Sequence, residues 1–131
     1  MKRAVVAVIE DNNKVLLCQR SLQTRNQQLK WENPGGEVDG DETKEEAIVR
    51  EVKEELGVNF LIKRILYENI FDSEDGSWQV TLFGGGIEGE PKALLLEETV
   101  EVRWFDKDKL DAVDLASYTR EDFVRFGWIK K

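Results

Sequence analysis

At 131 residues, with 40% hydrophobic residues, two prolines and ten glycines, the chain has the size and composition of a single folded domain over residues 1–131, not of a disordered or fibrous segment. It contains no histidine, which excludes a Ser-His-Asp or Cys-His nucleophilic site, imidazole acid–base chemistry and any His-ligated metal. Its 27 acidic residues against 19 basic ones leave a net charge of −8, opposite to the basic footprint of a duplex binder. No nucleic acid polymer is therefore expected as a partner, and a small anionic ligand needs a cation to approach such a surface.

The start, Met1-Lys2-Arg3-Ala4, runs into an apolar stretch too short for a signal peptide, and no later stretch reaches the roughly 18 apolar residues of a membrane span. No export and no membrane association are expected. Residues 4–9 form a β-type run, Asp11-Asn12-Asn13-Lys14 supplies turn chemistry, and residues 15–19 form a second strand, so the pattern predicts an opening hairpin. Cys18 stands alone in that second strand. It can form no intrachain disulfide, reads as a small buried apolar residue, and fits the reducing cytoplasm.

Residues 21–30 are polar and aperiodic and read as a loop that leads to Trp31 and the breaker Pro34-Gly35-Gly36. From residue 43 to 56 the pattern is helical, with Asp41 or Thr43 available as N-cap and Gly57 as the stop. Residues 61–71 and 78–87 read as paired strands around a turn at Ser73-Glu74-Asp75-Gly76, and residues 100–105 as a further strand. A closing helix, with Asp114 or Thr119 as cap, is predicted to run to Gly127. The order is that of an α+β domain, not a run of βαβ units.

Charge is concentrated on the central helix. Between Gly36 and Val58 stand nine acids and three bases, −6 of the chain's −8. At about 100° per residue, Glu54 and Glu55 lie within about 60° of Glu51, while Ile48, Val49, Val52 and Leu56 fill the adjoining arc. The apolar arc must face the sheet. Three carboxylates at its edge repel one another and are partly desolvated, which a hard divalent cation with oxygen ligands relieves. Arg50 can tie the acids together by pairing with Glu54 at i,i+4 or with Glu46 one turn earlier.

Gly36, five residues, Glu42, seven residues, and then Arg50-Glu51-Val52-Lys53-Glu54-Glu55-Leu56-Gly57-Val58 resemble the Nudix box at every fixed and aliphatic position. The resemblance implies the Nudix fold, an α/β/α sandwich around a mixed sheet. It also implies Mg²⁺, with Mn²⁺ as substitute, and attack of water at phosphorus. By motif position Glu54 and Glu55 are implied metal ligands with the Gly35 carbonyl beside them. Glu51 is implied as a further ligand or the base that activates water, Arg50 as the residue that orients the acids, and Glu42 in a structural or outer metal role. Family members often add an acid from a late loop, for which Glu97, Glu98 and Glu101 are available and Glu98 is preferred.

Phosphoryl transfer needs neutralised charge and an in-line water more than covalent catalysis, so the lack of histidine is no obstacle. Gly35 and Gly36 are expected to let backbone groups approach a metal or phosphate closely. Arg20 is a candidate phosphate contact. Trp31, Tyr118 and Phe123 are candidates to line a base pocket, and Asn33 to read a base edge. The compact size and Trp31-Glu32-Asn33-Pro34-Gly35-Gly36 resemble the MutT-type branch, which cleaves (d)NTPs, oxidised or modified ones included, to the monophosphate and pyrophosphate. Glu74 stands where ADP-ribose hydrolases of the family carry proline, and Gly76 where dinucleoside polyphosphate hydrolases carry tyrosine. Hydrolysis of ADP-ribose or a nucleotide sugar, and a non-catalytic nucleotide-sensing module, are the alternatives. The expected partner is a small nucleotide, and the expected state is monomer or homodimer.

Overall fold

The computed structural model describes residues 1–130, and among them no helix is long and apolar enough to cross a membrane. The strands are β1 (Lys2–Asp11), β2 (Lys14–Arg20), β3 (Trp31–Glu32), β4 (Gly35–Glu37), β5 (Asn59–Ser73), β6 (Gly76–Glu88) and β7 (Thr99–Asp106). The helices are α1 (Lys44–Leu56), a 3-10 turn (Lys107–Ala112) and α2 (Ser117–Arg125).

β1 and β2 are apolar on both faces because both faces are covered. Val5, Ala7 and Ile9 of β1 and Leu16 and Cys18 of β2 enter one core cluster with Ala47, Ile48, Val52 and Leu56 of α1. The alternate residues Val8, Val15 and Leu17 enter a second cluster with Leu110 of the 3-10 turn, Leu115 and Phe123 of α2. Period-two alternation thus assigns each strand residue to one helical layer or the other. The fold is α+β, a mixed seven-stranded sheet between helical layers, and Cys18 is buried in it as expected.

The sheet runs β3-β2-β1-β6-β5, with β4 also on β1 and β7 also on β2. The opening hairpin is present but short. β1 and β2 pair only at Ile9↔Leu16, Glu10↔Val15 and Asp11↔Lys14, around a turn in which Asn12 and Asn13 have positive φ, a conformation that asparagine tolerates. Beyond Leu16 the two strands part, and β1 makes its long ladder in parallel with β6, from Lys2↔Trp78 to Ile9↔Gly85. β3 fills the gap on the β2 side and β4 on the β1 side. The crossing at Asn33-Pro34 is fixed by the Ala7 amide, which donates to the Pro34 carbonyl at 2.8 Å.

α1 begins at Thr43, whose hydroxyl accepts from the Glu46 amide while the Glu46 carboxylate accepts from the Thr43 amide, and ends at Gly57 in the left-handed region. Of the two caps expected, Thr43 is realised, Gly57 is the stop as expected, and the return bond from Glu46 completes a capping box that the sequence reading did not include. For α2 both expected caps are wrong. Ala116 occupies the cap position with no side-chain hydrogen bond, Asp114 is paired with Lys30, and Thr119 is buried inside the helix.

Candidate active site

Where β1 and β2 separate, a cavity of about 480 Å³ opens, lined by β1, β3, β4, the loop after β2, the loop before β7 and Tyr118. It brings Arg20, Asn33, Gly35, Gly36, Glu55, Glu98 and Tyr118 together as the sequence predicts, and adds Arg25, Glu32, Glu37 and Trp78.

Of the acids of α1, Glu55 lines this cavity, and Glu51 and Glu54 lie outside its lining. Glu55 lies on the sheet side of the helix and is only 7% exposed. Its Oε2 is buried without a hydrogen-bond partner. Burial, with the neighbouring charge of Glu51 and then Glu98 and Glu32, pushes its carboxyl up to about 9. Glu51 is half-buried and raised for the same first reason, desolvation. Glu54, further round the helix, is half exposed and lies at the edge of the cluster. Val49, at the far end of the apolar arc, remains exposed.

Arg50 organises the outer acids. Its Nε and Nη2 donate to the two oxygens of Glu42 at 2.7 and 2.9 Å, Nη1 donates to Glu51 at 3.0 Å and to Glu54 at 3.2 Å, and Nη2 also donates to the Glu37 carbonyl at 3.0 Å. The fork on Glu42 is the strong bidentate geometry. Of the two partners predicted for Arg50, Glu54 is realised. Glu46 is not, because the helix cap uses its carboxylate. The Arg50 hydrogen bonds, with a further one from the Asp39 amide, hold the Glu42 carboxyl down at about 2.

The two glycines each occupy a place where a side chain would clash. A Cβ on Gly35 would lie 2.2 Å from the Val5 carbonyl oxygen of the paired strand, and one on Gly36 would lie 2.4 Å from the Glu51 carboxyl carbon. Gly35 lets β4 seat on β1, and Gly36 makes room for an acid of the site.

Also in the lining, Arg20 donates to both oxygens of Glu32 at 3.1 and 3.2 Å and to the Tyr118 hydroxyl at 3.1 Å. Tyr118 in turn donates to Glu32. Burial first, and then this bond, push the phenol above its ordinary range. Asn33 lines the cavity but is only 7% exposed, and neither its buried amide nitrogen nor its buried carbonyl oxygen has a partner among the described residues.

Two expected pocket aromatics are elsewhere. Trp31 packs edge-on against Phe105 with ring centroids 4.8 Å apart in the second core cluster, and Phe123 is fully buried there. Trp78, at the start of β6, lines the cavity instead, with its indole N–H on Asp75 at 3.0 Å. Glu32 could have been found from alternation: with Trp31 turned into one core cluster, its strand neighbour must point to the other face.

Among the described residues no three acids already converge at metal-binding distance, since Arg50 engages the outer carboxylates. The donor set is nevertheless all oxygen, and Glu55 offers a buried oxygen with nothing bonded to it. Both properties fit a hard divalent cation.

The family model described as NUDIX domain matches residues 1–125. The chain belongs to the Nudix hydrolase family. It is similar to the CTP pyrophosphohydrolase of Escherichia coli (strain K12), 47% identical over 58 residues that cover 44% of this chain and 42% of that protein. It is also similar to Nucleoside triphosphatase NudI of Enterobacter sp. (strain 638), 26% identical over 133 residues that cover 94% of each. A Caenorhabditis elegans relative named for the same family is matched over 30% of its length, so the chain spans less than half the length of two of these three curated relatives. Among solved structures, the MutT protein from Methanosarcina mazei Go1 shares the fold with a TM-score of 0.80 and 30% identity, over 96% of this chain and 92% of that one. Nudix hydrolases act on nucleoside-diphosphate-linked compounds and generally use divalent metal ions.

Proposed function

We propose that residues 1–131 work as one domain that hydrolyses a nucleoside triphosphate, oxidised or modified (d)NTPs included, to the monophosphate and pyrophosphate with Mg²⁺. The observation that carries the reading is Glu55: its Oε2 is buried without a hydrogen-bond partner among the described residues and Glu51, Glu98 and Glu32 stand near it, so ionising this group is costly in the free protein and a bound cation offsets that cost. The triphosphate is favoured by the names of two relatives, a CTP pyrophosphohydrolase matched over 44% of the chain and a nucleoside triphosphatase matched over 94%.

Glu54, Glu55, Glu51 and the Gly35 carbonyl would hold the ion. When bound, Mg²⁺ neutralises phosphate charge and lowers the pKa of water. The chain's own groups supply the rest. Arg50 holds Glu51 and Glu54 at fixed distances, and Glu51 or Glu98 accepts the proton of the attacking water as the new P–O bond forms and the bridging P–O bond breaks to release pyrophosphate. Arg20, exchanged from Glu32, contacts phosphate. Tyr118 and Asn33 face the nucleoside, where Asn33 gains the donor and acceptor partners that the free protein lacks.

The test is turnover of a panel of (d)NTPs, 8-oxo-dGTP, ADP-ribose and a nucleotide sugar with Mg²⁺, by the wild type and Glu54→Gln, with products separated by chromatography. Pyrophosphate from a triphosphate, abolished in the variant, is the expected result. A sugar phosphate from ADP-ribose or a nucleotide sugar alone would replace the triphosphate reading. Binding without turnover of anything would replace it with a sensing module.

A further inference from the structure

The cavity wall carries four carboxylates, Glu32, Glu37, Glu55 and Glu98, and two guanidinium groups, Arg20 and Arg25. Arg20 is already compensated by its ion pair with Glu32. Arg25 forms no ion pair or side-chain hydrogen bond among the described residues, so it is the cation on this wall whose charge and donors are uncommitted. We propose that Arg25 binds the terminal phosphates of the substrate and thereby selects a polyphosphate tail over a sugar in the leaving group. This rests on the hydrolase reading above and specifies its substrate class.

The loop that carries Arg25 is built to hold it in place. Ser21, nearly fully buried, donates its amide to the Glu98 carbonyl at 2.9 Å, and its hydroxyl bonds to the Glu97 carbonyl. Thr24 Oγ1 donates to the Ser21 carbonyl at 2.7 Å and the Gln28 amide to the Thr24 carbonyl at 3.0 Å. At the far end Gln27 exchanges two bonds with Ser117, at 3.3 and 3.1 Å. The loop is thus stitched to the Glu98 loop on one side and to the first residue of α2 on the other, with Arg25 between the anchors. A loop anchored in this way loses less backbone freedom on binding than a free one.

In a chain of net charge −8, a tail of several phosphate charges entering beside four carboxylates is repelled wherever the metal does not reach. A guanidinium fork matches phosphate oxygens and carries a permanent charge. A neutral ribose or hexose in the leaving group gains nothing from it.

Arg25→Gln and Arg25→Lys test this with two readouts, both in Mg²⁺. Calorimetric titration with inorganic tripolyphosphate should show binding weakened about tenfold to a hundredfold in the glutamine variant and partly restored by lysine, the range of one charge-assisted contact. In turnover, KM for the triphosphate should rise by a similar factor with kcat within about threefold, while kcat/KM for ADP-ribose stays within about twofold. Unchanged tripolyphosphate binding in Arg25→Gln, or an equal loss on triphosphate and ADP-ribose, overturns the assignment. If the wild type fails to cleave triphosphates yet Arg25→Gln still loses tripolyphosphate, the site stands and the hydrolase reading falls.

Discussion

Gly36 of β4 and Glu51 of α1 share one space: a Cβ at position 36 would stand 2.4 Å from the Glu51 carboxyl carbon and 2.5 Å from both of its oxygens. The obstacle is the end of a flexible side chain, which can rotate away. At Gly35 the obstacle is the Val5 backbone carbonyl, 2.2 Å from the same atom, which cannot move without parting β4 from β1. Gly36→Ala is therefore expected to leave stability within about 1 kcal/mol while displacing Glu51 and lowering kcat at least tenfold. Gly35→Ala is expected to cost about 2–4 kcal/mol of stability. Urea unfolding and steady-state kinetics on the pair check the contrast. Equal destabilisation by both would refute it.

Arg50 separates Glu42, Glu51 and Glu54, three acids that would otherwise repel. Arg50→Gln should destabilise the free protein by about 2 kcal/mol, and Mg²⁺ should recover part of that loss because a bound cation replaces the missing charge. Thermal unfolding in EDTA and in Mg²⁺ measures both. A loss of the same size in the two buffers would show that Arg50 does not organise the ion site.

The elements readable from the sequence are those whose signals are local. α1 carries Thr43, Glu46 and Gly57 at its ends, and the β5–β6 hairpin carries its turn at Ser73 to Gly76. The acids of α1 were readable as a cluster because helical spacing alone brings them together. Partners that depend on tertiary placement were not readable. The parallel ladder of β1 on β6 joins residues more than 70 positions apart, and β3 and β4, of two and three residues, are too short to show a period. Trp31 suits a base pocket by its chemistry, but its neighbours Phe105 and Leu115 are brought beside it only by folding. Asp114 offered good cap chemistry, yet Lys30 claims it. Arg25 sits in a stretch without periodicity, and only the anchoring of that loop shows where it leads.

Glu55 makes the free protein sensitive to pH in a defined direction. Its carboxyl is raised from 4.5 to about 9 in the folded state, so its contribution favours the fold fully below about 4.5 and is lost as pH climbs towards 9. A metal ion must displace the proton that Glu55 keeps at neutral pH, so Mg²⁺ affinity should tighten as pH rises from 6.5 to 8.5, with proton release on binding. Calorimetry in two buffers of different ionisation enthalpy measures both. Affinity independent of pH, with no proton released, would place the ion away from Glu55.

The measurement that bears most directly on the site is the comparison of wild type with Glu55→Gln for stability in EDTA and for Mg²⁺-dependent hydrolysis. Glutamine keeps the shape of the protonated carboxyl, gains nothing by ionising in the unfolded chain, and offers a cation no carboxylate. The variant is expected to be at least as stable as the wild type in EDTA, to gain less from Mg²⁺, and to lose about a hundredfold or more in kcat, about 2.7 kcal/mol of transition-state stabilisation. A variant that keeps full activity, or that unfolds more readily without metal, would show that Glu55 serves the fold and not the reaction.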